Sequence, residues 1–238
     1  MKVGLACTIA ITVGLSACLL RAGLSTTEPA LWNELTQLDE KVSKIDSVTA
    51  DFEQRKYTPM LKKPLVSSGT IVAEGSTALW KTGKPSPTCM LVSPKEIRIY
   101  YPAQALVEIY PVQGQLGALA ASPLPRLEVL KQFFRFERDS AASLDATKTD
   151  ADYLAVKLTP IHDDLRQHVK QVRVLLDRKT GAIQLAENID ADGDRTVLVF
   201  SNLKMDVRLA ADALQLNVPA GTNQTLPLDG MDAADGPR

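Results

Sequence analysis

The stretch Phe52–Trp80, FEQRKYTPMLKKPLVSSGTIVAEGSTALW, decides how this chain is read. It starts with strand character, breaks at the basic run KYTPMLKKPL (Lys56–Leu65), and resumes as SSGTIVAEG. Pro59 and Pro64 cannot donate to a β-ladder, so strand pairing stops between them. A proline-bounded, lysine-tipped break of this kind protects the edge where two strands turn over. The reading is therefore of two consecutive strands joined at a rim.

Working outward, the same period-2 pattern recurs. VTADFEQ puts Val48, Ala50 and Phe52 on one face. GTIVAEG, TALWKT, TCMLVS, KEIRIYYP and ALVEIYPV follow, and later YLAVKLTP, KQVRVLLD, GAIQLAENID, RTVLVFSNLKM and LQLNVP. DRKTG (Asp177–Gly181) and DADGD (Asp190–Asp194) read as hairpin turns. About ten or eleven short strands imply an antiparallel sheet, strongly curved or barrel-like.

Only two segments carry the helical period. ALWNELTQLDEKVSKI places Leu31, Leu35, Leu38, Val42 and Ile45 on one stripe, with Pro29 in the first turn. A second amphipathic helix is expected from about Pro125 to Arg138, with Leu127, Leu130, Phe133 and Phe134 on its apolar face. Two such helices cannot cover both faces of so wide a sheet. The fold class expected is mainly β: an incomplete, half-open antiparallel barrel of 10–11 strands with helical lid elements on its concave side. Its interior would be apolar and incompletely filled, which suits an apolar ligand.

The first 18 residues read as a signal peptide. Met1-Lys2 is the basic start and VGLACTIAITVGL the apolar region, too short for a membrane span. LSAC (Leu15–Cys18) is lipobox-like, with Cys18 as the residue to be lipidated; ordinary cleavage nearby, for instance after Ala22, is the alternative. Residues 19–29 form a tether, 30–228 the folded domain and 229–238 a loose tail. Cys89 is the one cysteine left in the body, so no internal disulfide is expected, and it reads as a small buried hydrophobe.

Several function classes are excluded. A net charge of −1 and few aromatic residues argue against nucleic-acid binding. There is no Gly-x-Ser-x-Gly, phosphate-binding loop or Cys-x-x-Cys, so no enzyme and no cofactor is expected. His162 and His168 with Asp163 and Asp164 match no common zinc spacing. DADGD lacks the glycine and distal glutamate of a calcium loop, offering Arg195 and Ser201 there.

The chain resembles the LolA family of periplasmic carriers of outer-membrane lipoproteins. LDEKVSKIDSVTADFEQ is similar to the family's opening helix and strand ending in Phe-x-Gln, and PLVSSGTIVAEGSTALWKTGKPSP to its strand–turn–Trp element. MLVSPKEIRIYYPAQALVEIYPV, VKQVRVLLDRKTGAIQ and LQLNVPAG match later segments, the last as a closing strand. The resemblance implies acyl chains of a lipoprotein or another lipid held between sheet and lid. It also implies an inner-membrane transporter or outer-membrane acceptor as partner, and periplasmic location, with anchoring if Cys18 is acylated. A monomer is expected. The alternative is a membrane-anchored sensor or assembly module that binds an envelope protein through the same fold.

Cavity candidates are Phe52, Ile71, Trp80, Met90, Val92, Ile99 and Tyr101 from strands, and Leu130, Phe133 and Phe134 from the second helix. The same residues are equally readable as core. Rim and lid candidates are Lys62, Lys63, Glu74, Arg126 and Arg135. Lys62 and Lys63 would face lipid phosphates or an acidic partner near the cavity mouth, or serve only as solvated loop charges. The family's carriers commonly place a lid-holding arginine six residues before this tryptophan; here the position is Glu74. Glu74 either pairs with Arg126 or Arg135, with reversed polarity, or is a solvated strand residue.

Overall fold

The protein is described by a computed structural model over residues 28–83, 85–111 and 127–227. The leader, Cys18, most of the tether, Arg126 and the C-terminal tail lie outside these residues.

Helix α1 (Pro29–Val42) begins with Pro29 in its first turn and buries Leu31, Leu35 and Leu38. Twelve strands follow in one sheet: β1 (Ser47–Tyr57), β2 (Leu65–Glu74), β3 (Thr77–Thr82), β4 (Thr88–Val92), β5 (Glu96–Tyr101), β6 (Leu106–Pro111), β7 (Phe134–Asp139), β8 (Tyr153–Pro160), β9 (Val169–Asp177), β10 (Ile183–Asp190), β11 (Arg195–Met205) and β12 (Asn223–Thr225). The order β12-β6-β5-β4-β3-β2-β1-β11-β10-β9-β8-β7 makes an open sheet, an incomplete barrel with β12 and β7 as its edges. Neighbours are antiparallel except β12, which runs parallel to β6. Three short α-helices, α2 (Leu127–Phe133), α3 (Ala141–Leu144) and α4 (Asp163–Arg166), and a 3-10 turn at Pro102–Gln104 complete the described residues.

Three expectations are corrected by the structure. The helix expected to reach Arg138 ends at Phe133, and Phe134–Asp139 is strand β7. From Phe134 the period switches to two, with Phe134 and Phe136 buried and Arg135 and Glu137 only partly so. That pattern suits edge pairing with β8, where Phe134 opposes Pro160 and Phe136 opposes Leu158. Leu214–Pro219 forms no strand; the late strand is Asn223–Thr225 instead. Cys89 is half-buried on β4 rather than fully buried.

The main core lies between α1, α2 and the inner face of β7–β9. Leu31, Leu35, Leu38, Phe133, Phe136 and Val156 belong to one cluster there. Alternation sends the other residues of these strands to the outer face, where Ala141 of α3 packs with Ala155, Leu175 and Leu185. This outer face also buries a charge. Glu187, 4% exposed, accepts from Arg173 at 3.0 Å and from Arg195 at 2.9 Å. Arg173 in turn pairs with Asp139 at 2.7 Å. Both turns read from the sequence form: Thr180 donates its N–H to the Asp177 side chain, and Asp194 to that of Asp190, both at 2.8 Å.

Candidate functional site

Past the end of α1 the inner face of the sheet is left open. Val48 and Ala50 of β1, Ile71 and Ala73 of β2, Trp80 of β3, and Phe200, Leu203 and Met205 of β11 surround about 590 Å³ of space, mouth included. Val42, the last residue of α1, and Ile45 close one end. A second lobe of about 1020 Å³, mouth included, runs beneath α1 and α2 against β7–β10, lined by Leu35, Leu38, Leu130, Phe136, Val172 and Val174 among others. Both lobes touch Val42, Gly181 and Ile183, so they form one trough with a waist where α1 meets the β9–β10 turn.

The waist depends on a glycine. Gly181 has φ +79°, and a Cβ there would stand 2.8 Å from the Leu38 carbonyl oxygen and 2.9 Å from Val42 Cγ2. Any larger residue would force α1 away from the turn. Lys41, in the last turn of α1, donates to the carbonyl of Arg178 at 2.9 Å, which suits a cation at a helix C-terminus. A second glycine sets the trough floor: a Cβ on Gly69 would meet the Phe52 ring at 2.9 Å and the Lys81 carbonyl still closer. Phe52 thus lies flat across β2, and its ring stands 5.3 Å from that of Trp80. Trp80 in turn lies 6.1 Å from Phe200.

Asp39 is the one ionisable residue among the described lining residues. Its Oδ1 accepts the N–H of Leu127 at 3.2 Å, tying α1 to the start of α2. A lining so poor in fixed charge can hold a hydrocarbon chain; its described residues form no array for proton transfer or metal binding.

Of the sequence candidates, Ile71 and Trp80 line the first lobe and Leu130 the second. Phe52 is buried beside them. Met90, Val92 and Ile99 lie on the same face further along the sheet, since Trp80 opposes Met90, Met90 opposes Ile99, and Ala78 opposes Val92. Tyr101 shares that face, and it donates to Glu108 Oε2 at 3.1 Å, as Tyr110 does at 2.8 Å. The bond to Glu108, with burial second, pushes the Tyr110 hydroxyl up to about 12. Phe133 and Phe134 are packed into the main core rather than lining either lobe.

The rim candidates are dispersed. Lys62 and Lys63 stand exposed in the β1–β2 connection, at the opposite end of β1 from Val48. Glu74 is exposed at the end of β2. Arg135 sits on edge strand β7 beside Glu137, at 3.6 Å. No Glu74–Arg135 latch forms, and Arg126 lies outside the described residues. Val42, Ile45, Ala50, Ala73, Phe200, Leu203, Met205 and Gly181 also line the first lobe and are not among the sequence candidates. The alternation in VTADFEQ and the α1 stripe carried part of that signal; nothing local marked Gly181 as a point of helix contact.

Proteins named "Outer-membrane lipoprotein carrier protein" from Cupriavidus taiwanensis and Cupriavidus necator are each 26% identical over 212 residues, covering 87% of this chain and 95% of theirs. A LolA superfamily protein of known structure from Nitrosomonas europaea aligns over 77% of this chain and 97% of its own, at 13% identity and a TM-score of 0.42. The model of the family described as "Outer membrane lipoprotein carrier protein LolA" matches residues 43–217. That span runs from the end of α1 past β11 and includes most of the trough, and on this match the chain belongs to the LolA family.

Proposed function

We propose that this protein carries or receives acyl chains, of a lipoprotein or another lipid, in the trough between α1 and the sheet, and moves them toward the outer membrane. The observation that carries the reading is the trough itself: two apolar lobes with a single ionisable residue among the described lining residues. The lipoprotein-carrier names of the relatives support the class of cargo. Burial of each methylene contributes roughly 0.8 kcal/mol, so about a dozen buried carbons outweigh the ordering of a flexible chain. Ile71, Trp80 and Leu130 would contact the chain directly, with Phe52 backing Trp80. The open interior argues against a filled sandwich that works only through its outer surface.

In this reading the protein works in the periplasm, as a monomer, between an inner-membrane donor and an outer-membrane acceptor. Acylation of Cys18 would make it an anchored acceptor. Cleavage after Ala22 would leave a free shuttle. The intact mass of the mature protein from membrane and soluble fractions separates these two forms.

The test is displacement of a fluorescent fatty acid from the protein. Saturable binding, weakened at least tenfold by Ala73→Phe, is expected, because Ala73 is buried and lines the first lobe. Absence of saturable binding in a folded wild-type protein contradicts the proposal.

A further inference from the structure

The β1–β2 connection has a property the trough does not explain. Met60 is 91% exposed, and Leu61, Leu65 and Val66 are 45%, 58% and 47% exposed. The described residues bury most of their large apolar side chains, yet these four stand together within seven positions. Ile161, 43% exposed, follows β8 at this same end of the antiparallel ladder. The tip is a formed turn: Leu61 donates its N–H to the Thr58 carbonyl at 3.1 Å, and Met60 donates its own to Thr58 Oγ1 at 3.2 Å. Pro59 occupies the second turn position, where its fixed φ favours such a turn. Met60 is therefore held outward.

Along the segment itself the charge is one-sided. No Asp or Glu occurs between Glu53 and Glu74, while Lys62 and Lys63 flank the apolar tip and are exposed. Arg55 and Lys56, lower on β1, are already paired, with Glu53 and with Asp194 at 3.2 Å. Two unpaired lysines beside projecting Met and Leu side chains fit one surface well: a bilayer with anionic headgroups, into which the apolar tip dips while the ammonium groups stay among the phosphates. An acidic protein groove would complement the lysines but needs a pocket for each apolar side chain. A bilayer needs none.

We propose that the β1–β2 tip is a membrane-docking element for anionic lipid, separate from the trough. Ala50 lies seven residues from Tyr57 along β1, so docking would hold the near lobe about 23 Å from the strand end that meets the headgroups. The protein would sit end-on, and docking would not require a loaded trough.

The experiment uses the full chain carrying Met60→Trp and vesicles of phosphatidylethanolamine and phosphatidylglycerol, with or without brominated acyl chains. The introduced indole reports insertion locally, whatever else attaches the protein to the vesicle. Quenching by brominated lipid, above the level from Trp32 and Trp80 in the unsubstituted chain, is expected. Lys62→Gln with Lys63→Gln should weaken recruitment to these vesicles about 25-fold, at about fivefold per lysine, and little on vesicles of zwitterionic lipid. An introduced indole that stays unquenched while the protein is vesicle-bound overturns the proposal. So does a concentration-dependent dimer that Met60→Glu abolishes, which would assign the tip to a second copy of the chain. Met60 is almost wholly exposed, so neither change at this position should disturb folding, and a circular dichroism melt verifies this.

Discussion

Glu34 of α1 accepts a hydrogen bond from Arg138 of β7 at 3.1 Å. The same carboxylate pairs through its other oxygen with Arg178 in the β9–β10 turn. One acid on the helix thus fastens α1 to two separate parts of the sheet, over the second lobe of the trough. The family resemblance places a lid-holding arginine where this chain has Glu74, which is exposed.

Glu34→Gln keeps the volume and removes the charge. It should cost about 1 kcal/mol, the scale of a partly exposed ion pair, and raise amide exchange across residues 29–42 several-fold. Exchange measured by mass spectrometry reads this directly. Unchanged exchange would mean that burial of Leu31, Leu35 and Leu38 holds the helix without the ion pairs.

Gly181→Ala should destabilise the protein by about 1–3 kcal/mol, from left-handed backbone strain, with the contact to Leu38 adding to it. The change should also loosen the end of α1 and alter fatty-acid affinity, because Gly181 lies at the junction of the lobes. Gly193→Ala is the comparison: it has φ +88° with no atom within 4 Å of its would-be Cβ. Equal effects at both positions would show that strain alone matters.

The outer-face ion pairs predict a pH dependence. Burial pushes the Asp139 carboxyl up, but the hydrogen bond from Arg173, that from the Ser140 N–H and the Arg173 charge outweigh it, so it titrates below the usual carboxylate range. An acid whose folded value is depressed stabilises the fold fully above its unfolded value, near 4. That stability is lost as pH falls from there through the folded value. Urea midpoints should therefore decline below about pH 4, and Asp139→Asn should remove part of that decline. An identical pH profile in the variant would place the acid sensitivity elsewhere.

Much of the fold was legible because its signals are local. The α1 stripe needed only its 4, 3, 4, 3 spacing, and the hairpin turns needed Asp with Gly. The error at Phe134 arose where two periods overlap. Leu127, Leu130, Phe133 and Phe134 fit a helical face, while Phe134, Phe136, Arg135 and Glu137 fit a strand, and pairing with β8 selected the strand. The trough was legible as a shortage of covering helices, and four of the ten cavity candidates, Phe52, Ile71, Trp80 and Leu130, line it or directly back it. What stayed hidden joins distant segments: Glu34 to Arg138 and Arg178, and Gly181 to Leu38. Those contacts depend on where α1 crosses the sheet, which no periodicity records.

The most direct test of the carrier account is photocrosslinking with a diazirine-bearing fatty acid, followed by peptide mapping. The account predicts adducts concentrated on the trough residues, chiefly around Val42–Ala50, Ile71–Trp80 and Phe200–Met205, and competed away by unlabelled fatty acid. Adducts confined to the β1–β2 tip, or an even scatter that competitor does not reduce, would contradict it.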